Sequence, residues 1–187
     1  DGVTWSKESS GSVENFASVA FDGTQFIVVG SARTILTSPD GVTWTTRTKG
    51  TSAYTLYSVT TGGGSIVATG EAGVVMLSQD GGATWNQQTS GTANNLRGVA
   101  YGNGTFVAVG NTGTVISSSN GTTWTVQSSG LAETLLAVTF GNGTFITSGN
   151  AGTIATSSSG SAWTAQASNS INNLSGITFG NNLFVAV

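Results

Sequence analysis

Five tryptophans recur about every 40 residues, short apolar runs alternate with Gly/Asn turns, and no stretch carries a helical period. Together these predict an all-β chain, a β-propeller of four-stranded antiparallel blades. It would have about five blades, four complete and one split between the termini. The tryptophans are Trp5, Trp44, Trp85, Trp124 and Trp163, at intervals of 39, 41, 39 and 39 residues.

Residues 96–124 show how one blade reads. Residues 96–101 and 106–109 are rich in strand formers, and Asn103-Gly104 between them supplies the two positive-φ positions of a tight hairpin. The run 110–113 breaks the chain, residues 114–118 form a third strand, Asn120-Gly121 a second tight turn, and residues 123–126 a fourth strand. The first strand returns in register at Val19, Val59, Val99, Val138 and Ile177, the second at Phe26, Ile66, Phe106, Phe145 and Phe184. A four-stranded sheet with apolar residues on both faces buries them only against its neighbours. A β-solenoid is the alternative, but hairpin turns imply antiparallel meanders that a parallel coil does not need. The tryptophans, one per blade, are expected as core between sheets.

The repeats run over 10–49, 50–89, 90–129 and 130–168, with 169–187 and 1–9 as a partial fifth. The head begins inside a motif and the tail stops in a second strand. Either the ends share one blade lacking its third strand, or the chain is a segment or processed product of a longer array. The first reading puts Trp5 beside Phe179 and Phe184 and leaves a slot one strand wide that favours self-association or is filled by a missing segment of the parent chain.

The run Ser78-Gln79-Asp80-Gly81-Gly82-Ala83-Thr84-Trp85 resembles the Asp-box of sialidase-type and BNR-repeat propellers, Ser-x-Asp-x-Gly-x-Thr-Trp. The blade is also similar to those of photosystem II assembly-factor-like propellers. The resemblance covers essentially the whole chain but is specific only at the level of the repeat. The box is one residue short at Asp40 and carries Asn120 and Ser159 in later copies. In such propellers the box is a structural turn away from the ligand face.

Composition narrows the function. Charged residues are 7% of the chain, so Ser, Thr, Asn, Gln and Gly must keep it in solution, as in many secreted or cell-surface β proteins, periplasmic ones included. A net charge of −3 with five basic residues gives no footprint for nucleic acid. No apolar run is long enough for membrane insertion. The absence of His and Cys removes the commonest bases, nucleophiles and zinc ligands, so no metal or cofactor is expected. Sialidases resemble one another in an arginine cluster, a Tyr–Glu pair and an Asp acid/base. Here Arg33, Arg47 and Arg97 and the glutamates Glu8, Glu14, Glu71 and Glu133 fall in no matching motif, so the chain reads as no enzyme.

The repeats also act as an internal alignment. Turns joining the first to the second and the third to the fourth strands are uniform, while the connections on the opposite face vary. The second residue of each first strand is Ala17, Tyr57, Arg97, Leu136 and Ser175 in turn. A uniform framework beside a diversified rim is the pattern of a binding face. Its candidate ligand-binding residues are Tyr54, Tyr57, Asn95, Arg97, Glu133 and Asn173. A neutral polar lining suits glycans, which makes a carbohydrate-binding, lectin-like module the first expectation. A protein-binding scaffold, adhesin or assembly-factor propeller is the alternative, and a sialidase remnant a minor one.

Overall fold

The computed structural model describes residues 2–48 and 54–187. It is all-β, with five antiparallel sheets in chain order. The first holds β1 (Phe16–Phe21), β2 (Phe26–Gly30), β3 (Ile35–Ser38) and β4 (Thr45–Thr48). The second holds β5 (Leu56–Gly62), β6 (Ser65–Gly70), β7 (Val75–Ser78) and β8 (Asn86–Gln88). The third holds β9 (Leu96–Gly102), β10 (Thr105–Gly110), β11 (Val115–Ser118) and β12 (Thr125–Gln127), and the fourth β13 (Leu135–Gly141), β14 (Thr144–Gly149), β15 (Ile154–Ser157) and β16 (Thr164–Gln166). The last sheet is the hairpin β17 (Ile177–Gly180) and β18 (Leu183–Ala186).

Asn103 and Gly104 take φ of 47° and 73° between Gly102 and Thr105, and Asn142-Gly143 repeats this, so the tight hairpins form as their sequence requires. The inner strands pack side by side, β5 on β1, β9 on β5, β13 on β9 and β17 on β13. Crowding there explains the small residues of the inner strands. The Val59 and Val99 N–H groups donate to the Ser18 and Ser58 hydroxyls of the preceding blade at 3.3 and 3.2 Å.

The core lies between sheets rather than within them. Ile27, Val29 and Ile35 meet Leu56, Val59, Ile66 and Met76. Val67 and Leu77 meet Leu96, Phe106 and Ile116, and Val107 and Val115 meet Leu135 and Phe145.

Three expectations need correcting. Of the repeated tryptophans, only Trp124 is fully buried, at 8% exposure, while Trp44, Trp85 and Trp163 are half-buried. Each stands at the end of its turn, ahead of the fourth strand, and its Nε1–H donates to the Gly41, Gly82, Gly121 or Gly160 carbonyl at 2.9–3.2 Å. That bond is common to all four, Trp124 included, so it fixes the orientation of the indole and not its degree of burial. Nor is Asn120-Gly121 a two-residue hairpin. The Ser118 hydroxyl accepts the Gly121 N–H at 2.9 Å and Asn120 Oδ1 accepts those of Thr122 and Thr123 at 2.9 Å, so side chains, not a ladder, close a wider loop.

The N-terminal segment does not complete the fifth sheet. Residues 2–10 carry no strand, among the described residues β17 and β18 pair only with each other, and Trp5 is 88% exposed. Ser6, Glu8 and Ser10 instead line a cavity with Phe16, Val28, Leu36 and Trp44 of the first blade.

Trp124→Ala should cost about 3–5 kcal/mol in urea unfolding, as deep aromatic truncations do. Trp163→Ala should cost clearly less; equal losses would mean that burial does not set the ranking.

The turns also set an acid limit. The Thr43 and Val42 N–H groups hold the Asp40 carboxyl down at about 2, and the Thr84 hydroxyl and N–H do the same for Asp80. A depressed folded value stabilises above the unfolded one, near ~3.9, and that stability is lost as pH falls through the folded value. Melting temperature should therefore fall between about pH 4 and pH 2. Asp40→Asn with Asp80→Asn, copying Asn120, should make that fall shallower, and an unchanged slope would assign the acid limit elsewhere.

Candidate functional site

The variable face is built by the first strands and the connections from second to third strands. Each connection is one 3-10 turn, at Ser31–Arg33, Glu71–Gly73, Asn111–Gly113 and Asn150–Gly152. These turns are tied to the chain entering the next blade. The Arg33, Gly113 and Gly152 N–H groups donate to the Tyr54, Glu133 and Asn172 carbonyls at 2.7–2.9 Å.

The diversified position on each inner strand has a structural cause. Leu56 pairs with Gly70 and Ser58 with Thr69, leaving Tyr57 as the extra residue of a β-bulge. Ala17, Arg97 and Leu136 are skipped in the same way in their own sheets. A bulged residue leaves the in-out alternation of the strand, so its side chain is re-aimed.

In the second and third blades this brings four residues together. The Tyr57 hydroxyl donates to Glu71 Oε1 at 2.9 Å, and the Thr55 N–H donates to Glu71 Oε2 at 3.0 Å. The Arg97 guanidinium lies over the Tyr57 ring, 4.9 Å from its centroid, and Arg97 Nε donates to Asn111 Oδ1 at 3.0 Å. The chain Glu71–Tyr57–Arg97–Asn111 thus crosses a blade junction. Burial, with the Glu71 hydrogen bond and charge, pushes the Tyr57 hydroxyl above its usual value, and Arg97 acts in the opposite sense.

The preceding junction carries a second such pair, with the Arg33 guanidinium 5.3 Å from the centroid of the Tyr54 ring. Arg33 sits at φ 54°, in the left-handed region, where the other turns place Gly73, Gly113 and Gly152. A bulky residue held there is strained, and such strain clusters at functional sites.

The remaining candidates fall apart. Asn95 Oδ1 accepts the Ala72 N–H at 2.9 Å and Asn173 Oδ1 that of Ala151 at 3.1 Å, so both side chains fasten one blade to the next. Glu133 is exposed and is tied into the face through its backbone carbonyl. Sequence reasoning missed Glu71, Asn111 and Arg33 as site residues. Two signals were there: a common spacing of 14 residues from Tyr57 to Glu71 and from Arg97 to Asn111, and an arginine where every other copy has glycine. Among the described residues, no three His, Cys, Asp or Glu side chains gather as a metal site, and no helix is long and apolar enough to cross a membrane. Arg47 lies on the outermost strand, its Nε donating to the Thr37 hydroxyl at 2.8 Å, far down the blade from this face.

The local coupling is directly measurable. Glu71→Gln removes the charge that opposes phenolate formation, so the Tyr57 titration followed by NMR should move to lower pH. An unmoved or higher midpoint would break the assigned contact.

No family model matches the chain, and no curated protein does. Solved structures do. A structure described as YCF48 bound to D1 peptide matches with a TM-score of 0.71 and 21% identity, over 90% of this chain and 58% of that one. YCF48 from Cyanidioschyzon merolae matches with a TM-score of 0.63 and 22% identity, over 90% of this chain and 61% of that one. At that identity the likeness is one of fold: the chain has the repeat architecture of a β-propeller and spans about three fifths of each neighbour.

Proposed function

We propose that the chain is a non-catalytic protein-binding module that takes an extended peptide segment across the variable face of its first three blades. The observation that carries this reading is the pair of arginine-over-tyrosine stacks at consecutive junctions, Arg33 on Tyr54 and Arg97 on Tyr57. Tyrosine and arginine are the side chains that most often dominate binding energy between proteins. Stacking holds both ends of each pair before a partner arrives, which lowers the entropy cost of binding. Glu71 and Asn111 add acceptors beside the cationic groups, a mixture that suits the alternating N–H and C=O of a peptide. One of the neighbours in fold, a YCF48, is described as bound to a peptide, which supports the same class of partner.

The carbohydrate reading has less behind it. A sugar would need an open ring face to stack on, and one face of each tyrosine already carries an arginine.

Fluorescence anisotropy against a random peptide library, with a glycan array on the same sample, tests the proposal. We expect peptide hits that weaken by about tenfold or more in Arg33→Ala and in Arg97→Ala, without a fall in melting temperature. Glycan hits without peptide hits would overturn it in favour of the lectin-like reading, and hits indifferent to both variants would move the site elsewhere.

A further inference from the structure

In an Asn-Gly pair the next main-chain nitrogen can attack the side-chain amide, because glycine has no Cβ to block the approach. The chain carries three such pairs, Asn103-Gly104, Asn120-Gly121 and Asn142-Gly143. The fold gives them two different settings.

Asn103 and Asn142 stand at hairpin tips, at φ 47° and 45°, and each is exposed together with its glycine. No atom lies within 4 Å of a Cβ built on Gly104 or Gly143, so the space beside the attacking nitrogen is open. Among the described residues, no hydrogen bond engages the Gly104 or Gly143 N–H, since the middle of a two-residue turn falls outside the ladder. Nor does one hold the Asn142 side-chain amide, and that of Asn103 makes a single long bond, 3.4 Å to the Gly143 carbonyl.

Asn120 has the same neighbour in sequence and the opposite setting. Gly121 is buried, and a Cβ built on it would meet Leu77 Cδ1 at 2.9 Å. Its N–H donates to the Ser118 hydroxyl at 2.9 Å. Asn120 Oδ1 accepts the Ser118 hydroxyl at 3.1 Å and the Thr122 and Thr123 N–H groups at 2.9 Å, so both reacting groups are already bound.

We propose that Asn103 and Asn142 are sites of spontaneous deamidation in the folded protein, and that the turn around Asn120 protects it. At the second hairpin, the Gly143 nitrogen gives up its proton and bonds to the Asn142 side-chain carbonyl carbon. The bond from that carbon to the amide nitrogen breaks, and ammonia leaves. The cyclic imide then takes up one water molecule and opens at one carbonyl to aspartate or at the other to isoaspartate. Each event adds a negative charge to a chain whose net charge is −3, on the face opposite the variable one. Isoaspartate also puts an extra carbon into the main chain of the turn. That turn follows Gly102 or Gly141, on which the Phe140 and Phe179 rings of the next blade rest.

Incubating the folded chain, and the chain in urea, at mildly alkaline pH tests this, since the attacking nitrogen must lose its proton. Chymotryptic cuts after Tyr101, Phe106, Trp124, Phe140 and Phe145 put the three asparagines on separate peptides, where mass spectrometry reads the change from amide to acid. In urea we expect all three to convert at comparable rates. In the folded chain we expect Asn103 and Asn142 to convert and Asn120 to lag them by about tenfold or more. Ser118→Ala frees the Gly121 N–H and should speed Asn120 alone, with Asn103 and Asn142 reporting in the same sample that the fold is intact. Asn103 and Asn142 that stay unmodified in the folded chain while converting in urea would overturn the proposal. So would an Asn120 that keeps pace with them, or one that Ser118→Ala leaves unmoved. The rates are read on the free chain, so none of these outcomes depends on whether the variable face binds peptide.

Discussion

No sheet in this molecule has a core of its own. A four-stranded meander closes its ladder hydrogen bonds internally, but it is apolar on both faces and can bury them only against another sheet. Every distinctive residue choice follows from that constraint. Small residues line the inner strands because Val59 and Val99 must bring their backbone within hydrogen-bond distance of Ser18 and Ser58. Glycine ends the inner strands because an aromatic ring from the next blade occupies the space of a side chain.

The fold was legible because its signals are local and repeated. Asn-Gly pairs need positive φ, alternation needs two faces, and both recur at a fixed interval, so each copy corroborates the others. What escaped was set by contacts that no interval displays. The tryptophans recur as strictly as any core residue and all bind a turn carbonyl through the indole N–H, yet three are only half-buried while Trp124 is covered. The N-terminal segment carries a fourth-strand sequence and forms no strand, lying instead beside Phe16, Val28 and Leu36 of the first blade.

The site shows the same division. Comparison among the repeats singled out Tyr57 and Arg97 because they break a pattern, and the structure stacks one on the other. It also singled out Asn95 and Asn173, whose carbonyls turn out to fasten blades together. Variation alone does not separate a side chain that is free to differ from one that differs to satisfy its own neighbours. Arg33 carried the more telling signal, an arginine at a backbone geometry that the other copies reserve for glycine.

The bulge in each inner strand has a consequence for how such a chain changes over time. A residue outside the ladder alternation makes no cross-strand pair of its own, so the sheet's two-face pattern does not dictate its identity. Positions 17, 57, 97 and 136 hold alanine, tyrosine, arginine and leucine on an almost unchanged frame. Four blades therefore each carry one letter outside the ladder, two of which, Tyr57 and Arg97, are read as a stacked pair. A new specificity needs a few substitutions spread over separate copies of the motif, and duplicating a blade adds a letter to the word.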